Sequence, residues 1–207
     1  MNASEITYGP DIGCFVINRP MSSCKHCTTF CRSTCYNWKL YNIYKHMSTK
    51  DIRNETYWQG IDGREVSRTL DRKKLQTKRI RLMSRGEALK DLTDIDRIID
   101  LCKSNPKRLV WLPTRAWRDA KLRQVIIDRL FPLKNLRLSA SIDPSNTKQE
   151  IEDLKRDGFS TMFYGDDTDT TDRIKCSKTW KHRKGACVTC KGGCFSRSQK
   201  HVHLKMH

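Results

Sequence analysis

Eight of the ten cysteines in this chain fall into two dense clusters, and no other feature restricts the fold as strongly. Cys24, Cys27, Cys31 and Cys35 follow the spacing C-x2-C-x3-C-x3-C. Cys176 is followed by Cys187, Cys190 and Cys194, a C-x2-C-x3-C run set among glycines and lysines. Whether such thiols pair with each other or bind metal depends on the compartment. Residues Met1 to Asp11 contain no basic segment leading into an apolar one, so no signal peptide is read. No apolar run approaches the roughly 20 residues that a bilayer span needs. A cytoplasmic protein without membrane contact is therefore expected. There thiols stay reduced, and clustered cysteines point to metal before disulfides.

All eight clustered cysteines are candidate ligands. On a helix, the steps of three and four in the first cluster would align its thiols along one face. In the second, Gly185, Gly192 and Gly193 let the backbone wrap closely, and nearby lysines favour thiolates. Structural zinc commonly takes two C-x2-C knuckles in a tetrahedron. Cys24 with Cys27 and Cys187 with Cys190 could form one such site between the chain ends, and a second zinc could take the remaining four. Runs this dense suit iron–sulfur clusters better, so one or two clusters are expected, with zinc as the alternative. Cys14 and Cys102 lie outside the runs and are expected to be core residues, since free cysteine packs as a small hydrophobe.

The formal net charge is +18 on 207 residues, with 41 Lys plus Arg against 23 Asp plus Glu. A balance this basic points to a polyanionic partner: nucleic acid, or a host machine that handles it, such as RNA polymerase. Two stretches concentrate the cations. From Arg173 to His207 there are ten Lys or Arg and no acid, interleaved with Trp180 and Phe195. Candidate phosphate contacts here are Lys181, Arg183, Lys184, Lys191, Arg197 and Lys200, although the last dozen residues also read as a disordered basic tail. The second stretch runs from Arg64 to Arg85, with Lys73, Lys74, Lys78 and Arg79 as candidates; an exposed helix face or a linker is the other reading. His201, His203 and His207 read as a solvated histidine tail. Asp166, Asp167, Asp169 and Asp172 read as a solvated turn. No P-loop, G-x-S-x-G elbow or dinucleotide fingerprint occurs.

Composition divides the chain at 1–63, 64–172 and 173–207, which together suit one compact domain. The middle segment alternates strand and helix signals. Strands are expected at Arg79–Ser84, Arg108–Leu112, Asn135–Ile142 and Phe159–Tyr164. Helices are expected at Leu92–Lys103 (capped by Thr93 or Asp94), Asp119–Leu130 and Thr147–Asp157. This rhythm predicts a parallel α/β sheet or part of a (β/α) barrel, with functional groups at the strand C-terminal ends. Trp111, Trp117 and Trp180 are expected in the core or shielding a cluster.

Cys31-x3-Cys35-Tyr36, Arg81-Leu82-Met83-Ser84-Arg85-Gly86-Glu87, Thr114-Arg115-Ala116-Trp117 and the C-terminal C-x2-C-x3-C-Phe, in this order, resemble a group of phage proteins known as numbered gene products. That group is distantly similar to radical S-adenosylmethionine (SAM) enzymes. The resemblance implies a partial, radical-SAM-like (β/α) barrel, a 4Fe–4S cluster and residence in the host cytoplasm, with the cysteine-rich ends closing on the metal. It also implies a SAM contact at Gly86 and Glu87, an echo of the Gly-Gly-Glu stretch of those enzymes. The C-x3-C-x2-C loop that leaves one iron open for SAM is not reproduced, however. A fourth cysteine would close the cluster, so a structural cluster without catalysis is the first expectation and no catalytic residue is assigned. An active radical SAM enzyme is the second and a zinc protein that binds nucleic acid the third.

Overall fold

A computed structural model describes residues 5–44, 46–73, 77–166, 172–181, 187, 190, 193–195 and 201–206. The chain opens with an antiparallel hairpin, β1 (Ile6–Gly9) and β2 (Cys14–Ile17). Four helices follow: α1 (Thr29–Thr34), α2 (Tyr36–Ile43), α3 (Met47–Gln59) and α4 (Gly63–Arg72). Strand and helix then alternate through β3 (Arg79–Leu82), α5 (Thr93–Ser104), β4 (Leu109–Thr114), α6 (Ala120–Val125), β5 (Leu136–Ile142), α7 (Lys148–Arg156) and β6 (Ser160–Tyr164). The last elements are β7 (Ile174–Lys175), α8 (Ser177–Lys181) and β8 (Val202–Leu204).

The eight strands form one open sheet in the order β1-β2-β3-β4-β5-β6-β8-β7. From β2 to β6 each strand pairs in parallel with the next in sequence. From β2 to β6 the order never reverses, so this part of the sheet is singly wound, and crossovers of one hand drop α3 to α7 on the same side; at the far edge β8 is inserted between β6 and β7. The core bears this out. Trp58 of α3, Val66 and Leu70 of α4, Ile95 and Ile98 of α5, Leu122 of α6 and Leu154 of α7 join one apolar cluster. Strand residues in it include Phe15, Ile17, Ile80, Leu82, Val110, Leu112, Leu138 and Ala140.

Strand side chains alternate between faces, so the same register defines the opposite, polar face. Val16, Arg81, Trp111 and Arg137 occupy one row across β2 to β5 there. Ser139 and Ser160 stand side by side in the next row. The sheet does not close into a barrel.

The expected βα elements match in type and order, with small shifts in their ends. β4 runs past the expected end at Leu112, through Pro113 to Thr114; β3 pairs with β4 only as far as Trp111, so the proline sits past that ladder. Neither Thr93 nor Asp94 caps α5. Asp91 accepts from the Thr93 N–H, while Asp94 is buried and accepts from Trp58 and Arg19. The helix over 119–130 ends in a π turn at Ile126–Leu130.

Two larger corrections concern the ends. The N-terminal segment contributes β1 and β2, which no local pattern had announced. At the other end, the solvated histidine tail is overturned. His203 lies in β8, fully buried, its Nε2–H donating to the Gly165 carbonyl at 2.8 Å. The His201 Nδ1 accepts from the Thr161 N–H at 3.1 Å. His207 lies outside the described residues.

Candidate metal centre

The loop after β2 carries the first cysteine cluster to the C-terminal edge of the parallel strands, where ligand sites gather in such sheets. Pro20 opens a short 3-10 turn over Met21–Ser23, and Cys24 follows it. Thr28 caps α1 by accepting from the Cys31 N–H at 2.8 Å, and Cys35 separates α1 from α2. The thiols therefore do not line one helix face: only Cys31 lies within a helix.

Hydrogen bonds pin this segment to the strand ends, three of them close to the cysteines. The Glu87 N–H after β3 donates to the Ser23 hydroxyl at 2.8 Å. The Thr28 hydroxyl donates to the Asp143 carboxylate after β5 at 2.6 Å. The Tyr36 hydroxyl donates to the Ser84 carbonyl at 2.7 Å.

The four thiols share one electrostatic environment. Burial pushes the Cys24 thiol well above its ordinary range, and the charges of Glu87, Cys27, Cys31 and Cys35 push it the same way. Burial also raises Cys31, opposed by Arg115 and reinforced by Cys35, Cys27 and Asp143. Among the described residues, no three Cys, His, Asp or Glu side chains already stand at metal-bonding spacing. The donor set nevertheless fits a thiophilic cation. Four thiols on one pinned loop repel each other once ionised, and a bound cation relieves that repulsion.

Gly86 and Glu87 form the turn beneath this loop. Gly86 has φ +83°, and a Cβ there would stand 2.6 Å from the Arg19 carbonyl oxygen, so only glycine fits. The buried Glu87 carboxylate accepts from the Thr114 hydroxyl at 2.8 Å, the Arg115 N–H at 2.9 Å and the Leu89 N–H at 3.2 Å. Burial raises its pKa against these bonds. Beside it, Asp143 is fully buried and pairs with Arg115 at 2.8 Å.

The second cluster lies elsewhere, over the polar face of the sheet. Cys187 senses the charges of Cys176 and Cys190, and Cys194 those of Cys176, Cys190 and Cys187. Burial pushes Cys194 up to about 12. The Arg79 guanidinium donates to the Cys187 carbonyl at 3.3 Å and lies over the Phe195 ring, and that ring packs edge-on against Trp111. The two clusters thus form separate groups.

Two of the candidate phosphate contacts, Arg79 and Lys73, donate to backbone carbonyls of the protein. Arg79 is turned onto the sheet face and engaged there. The Lys73 ammonium donates to the Ile6 carbonyl at 3.0 Å. Lys78 is exposed and stays available. Lys74, Arg183, Lys184, Lys191, Arg197 and Lys200 lie outside the described residues, as does the Lys181 side chain. The acidic turn is partly tied down, since Asp172 accepts from Lys155 at 2.7 Å and Asp166 from the Met206 N–H at 3.2 Å; Asp167 and Asp169 lie outside the described residues.

Cys102 is a core residue, and burial alone pushes its thiol up to about 12. Cys14 is equally buried but belongs to the polar face, where it senses Cys187, Arg81 and Arg79. Sequence reasoning missed α2 entirely as a surface. Trp38 is 49% exposed, Tyr44 at the end of the helix 48%, and Lys39 is exposed too. A signal was present, because no acid occurs between Asp11 and Asp51 while six Lys or Arg do.

Fold and site define a class: an open α/β protein, singly wound from β2 to β6, bearing one thiol group at its strand ends and another on its polar face. Within that class, the chain belongs to the Gene product 88 family, which matches residues 7–199. This agrees with the phage numbered-gene-product group that the motif order resembles. No curated protein and no solved structure matches the chain. No helix among the described residues is long and apolar enough to cross a membrane.

Proposed function

We propose that this chain is a non-enzymatic iron–sulfur protein in which Cys24, Cys27, Cys31 and Cys35 hold a 4Fe–4S cluster and a basic surface engages nucleic acid. The observation that carries the reading is the four-thiol loop pinned through Ser23 and Thr28 to the ends of β3 and β5. A cluster held there adds its binding free energy to the fold. Four cysteines would ligate every iron and leave none open. The polyanion partner rests on the charge of +18 and on α2 with the residue that ends it, where Trp38 and Tyr44 offer stacking faces and Lys39 a cation. A host machine such as RNA polymerase is the protein counterpart of the same surface.

One observation favours a second reading, the active radical SAM enzyme: Glu87 is the foremost charged neighbour of Cys24, so the cysteine loop and the Gly86-Glu87 turn face each other. Against it, the Glu87 carboxylate is already engaged by three protein donors. It serves here as a strut between β3 and β4.

Anaerobic purification with iron, sulfide and zinc analysis tests the proposal. Equal iron and sulfide, lost on Cys27→Ser with Cys31→Ser, supports it. Stoichiometric zinc without sulfide replaces it with a zinc-stapled binding protein. A spectral change on adding SAM, abolished by Glu87→Ala, moves the reading to the enzyme. Nucleic acid binding that does not weaken as salt rises counts against phosphate contacts.

A further inference from the structure

We infer that Cys176, Cys187, Cys190 and Cys194 form a second tetrathiolate metal centre, separate from the first, whose negative charge is balanced by Arg79 and Arg81. This goes beyond the first centre and does not depend on its being filled.

The polar face of the sheet poses a charge problem that a metal centre resolves. Arg79 and Arg81 project from alternate positions of β3 onto that face, and both are half-buried. Neither pairs with a carboxylate among the described residues. Arg79 meets a carbonyl and the Phe195 ring; Arg81 lies over the Trp111 ring at 4.8 Å, its Nε buried without a hydrogen-bond acceptor. Guanidiniums withdrawn from water call for a counter-charge.

The thiols supply it. Arg81 acts on Cys187, Cys194 and Cys14, opposing what burial does to each. Four thiolates around a divalent ion, or around a doubly positive iron–sulfur core, carry a net double negative charge. Two guanidiniums match it.

The ligands are also positioned from different parts of the fold. The Cys176 N–H donates to the His203 carbonyl at 2.8 Å, which fixes it at the end of β7. The carbonyl of Cys176 accepts from Thr179 and Trp180 at the start of α8. Arg79 holds Cys187 by its carbonyl, and Phe195, adjacent to Cys194, is anchored on Trp111 at 5.7 Å. Zinc and an iron–sulfur core share this thiolate chemistry, and metal analysis separates them.

The test is metal content per full-length chain, purified anaerobically, for two paired variants and their combination. Cys187→Ser with Cys190→Ser is expected to lose one centre's metal and keep the other's. Cys27→Ser with Cys31→Ser is expected to do the reverse, and the combination to lose both. Full metal content in the C-terminal variant, or loss of all metal from the N-terminal pair, overturns the inference. Metal lost only with the C-terminal pair keeps it and sinks the cluster proposed at the loop. Because removing ligands can unfold the chain, a second measurement keeps every thiol. Arg79→Gln with Arg81→Gln is expected to release the second centre's metal to a chelator at least tenfold faster, and Arg79→Lys with Arg81→Lys to restore most of the retention. Unchanged release in the Gln pair overturns the charge-balancing role.

Discussion

Cys24, Cys27, Cys31 and Cys35 stand at the C-terminal strand edge beside two carboxylates, Glu87 and Asp143. Cys176, Cys187, Cys190 and Cys194 lie over the polar face beside two guanidiniums, Arg79 and Arg81. The first group is positioned by a loop whose own hydrogen bonds reach β3 and β5; the second is gathered from the end of β7 and from the segment leading to Phe195. The contrast concerns what a metal bound as proposed would add in each place. At the edge the loop is already positioned, Arg115 already pairs with Asp143, and a bound cation would add to it in offsetting Glu87 and the thiols. Over the face, positive charge is already in place, and metal would do more of the positioning.

The largest effect that can break this contrast is expected from Asp143→Ala. The Asp143 side chain is fully buried and joins Arg115, Thr28 and Ser145. Removing one partner of a buried pair strands the other, at roughly 3–5 kcal/mol, measured by chemical denaturation. The same change unpins Thr28, so the first group should lose metal while the second keeps it. Burial alone would raise the Asp143 pKa, but bonds from Ser145 and Thr28 and the Arg115 charge hold it below the ordinary carboxylate value. A depressed carboxylate stabilises above its unfolded pKa and loses that contribution as pH falls through the folded value. Wild type should therefore lose stability below about pH 4, and Asp143→Ala should flatten that loss. Equal metal loss from both groups would mean that they are one unit.

Gly86→Ala comes next. The positive φ and the 2.6 Å approach to the Arg19 carbonyl together should cost about 3 kcal/mol. The strain falls on the turn under the first loop, so metal retention there should drop while the second group is spared. A third test compares the groups by pH. A metal must displace a proton from any thiol below its pKa, so affinity rises with pH until the thiols ionise. Cys24 and Cys194 are both raised, chiefly by burial. Affinity at each group should thus still be climbing between pH 6 and about pH 9, by competition with a coloured chelator. A flat profile at either group would show that its thiols ionise without metal.

The core of this arrangement was open to sequence reading, and the reasons are local. Leu136 to Ile142 is an apolar-rich run closed by Asp143-Pro144, and Thr147 with Glu150 makes a capping box that starts α7 where the pattern places it. Within Cys24 to Cys35 and Cys187 to Cys194 close spacing in sequence limits the distance in space, whereas Cys176 joins the second group through β7. Their positions were hidden. The β2 stretch Cys14-Phe15-Val16-Ile17 is four residues long and buried on both faces, so it shows no alternation. Three-residue β8, in a basic histidine-rich setting, is a strand only because β6 and β7 flank it. The basic neighbours of Arg79 are visible in sequence, whereas its contacts with Phe195 and the Cys187 carbonyl arise only through the fold.

The smallest effect on the fold, and the sharpest on function, is expected from Trp38→Ala. Trp38 is half-exposed on α2, which begins where Cys35 ends the first thiol run. Its side chain is absent from the buried core, so stability should stay within about 0.5 kcal/mol of wild type. If α2 stacks bases, single-stranded nucleic acid affinity should fall by about 1–3 kcal/mol, roughly five- to more than a hundredfold. The slope of affinity against salt should stay unchanged, because the phosphate contacts remain. Lys39→Gln should do the opposite, weakening binding modestly and making that slope shallower. The pair of results ties the partner to the first thiol group's side of the molecule, where the chain from Asp11 to Asp51 carries no acid between those two residues. Unaltered affinity in both variants would remove α2 from the interface and shift the search to exposed cations such as Lys78.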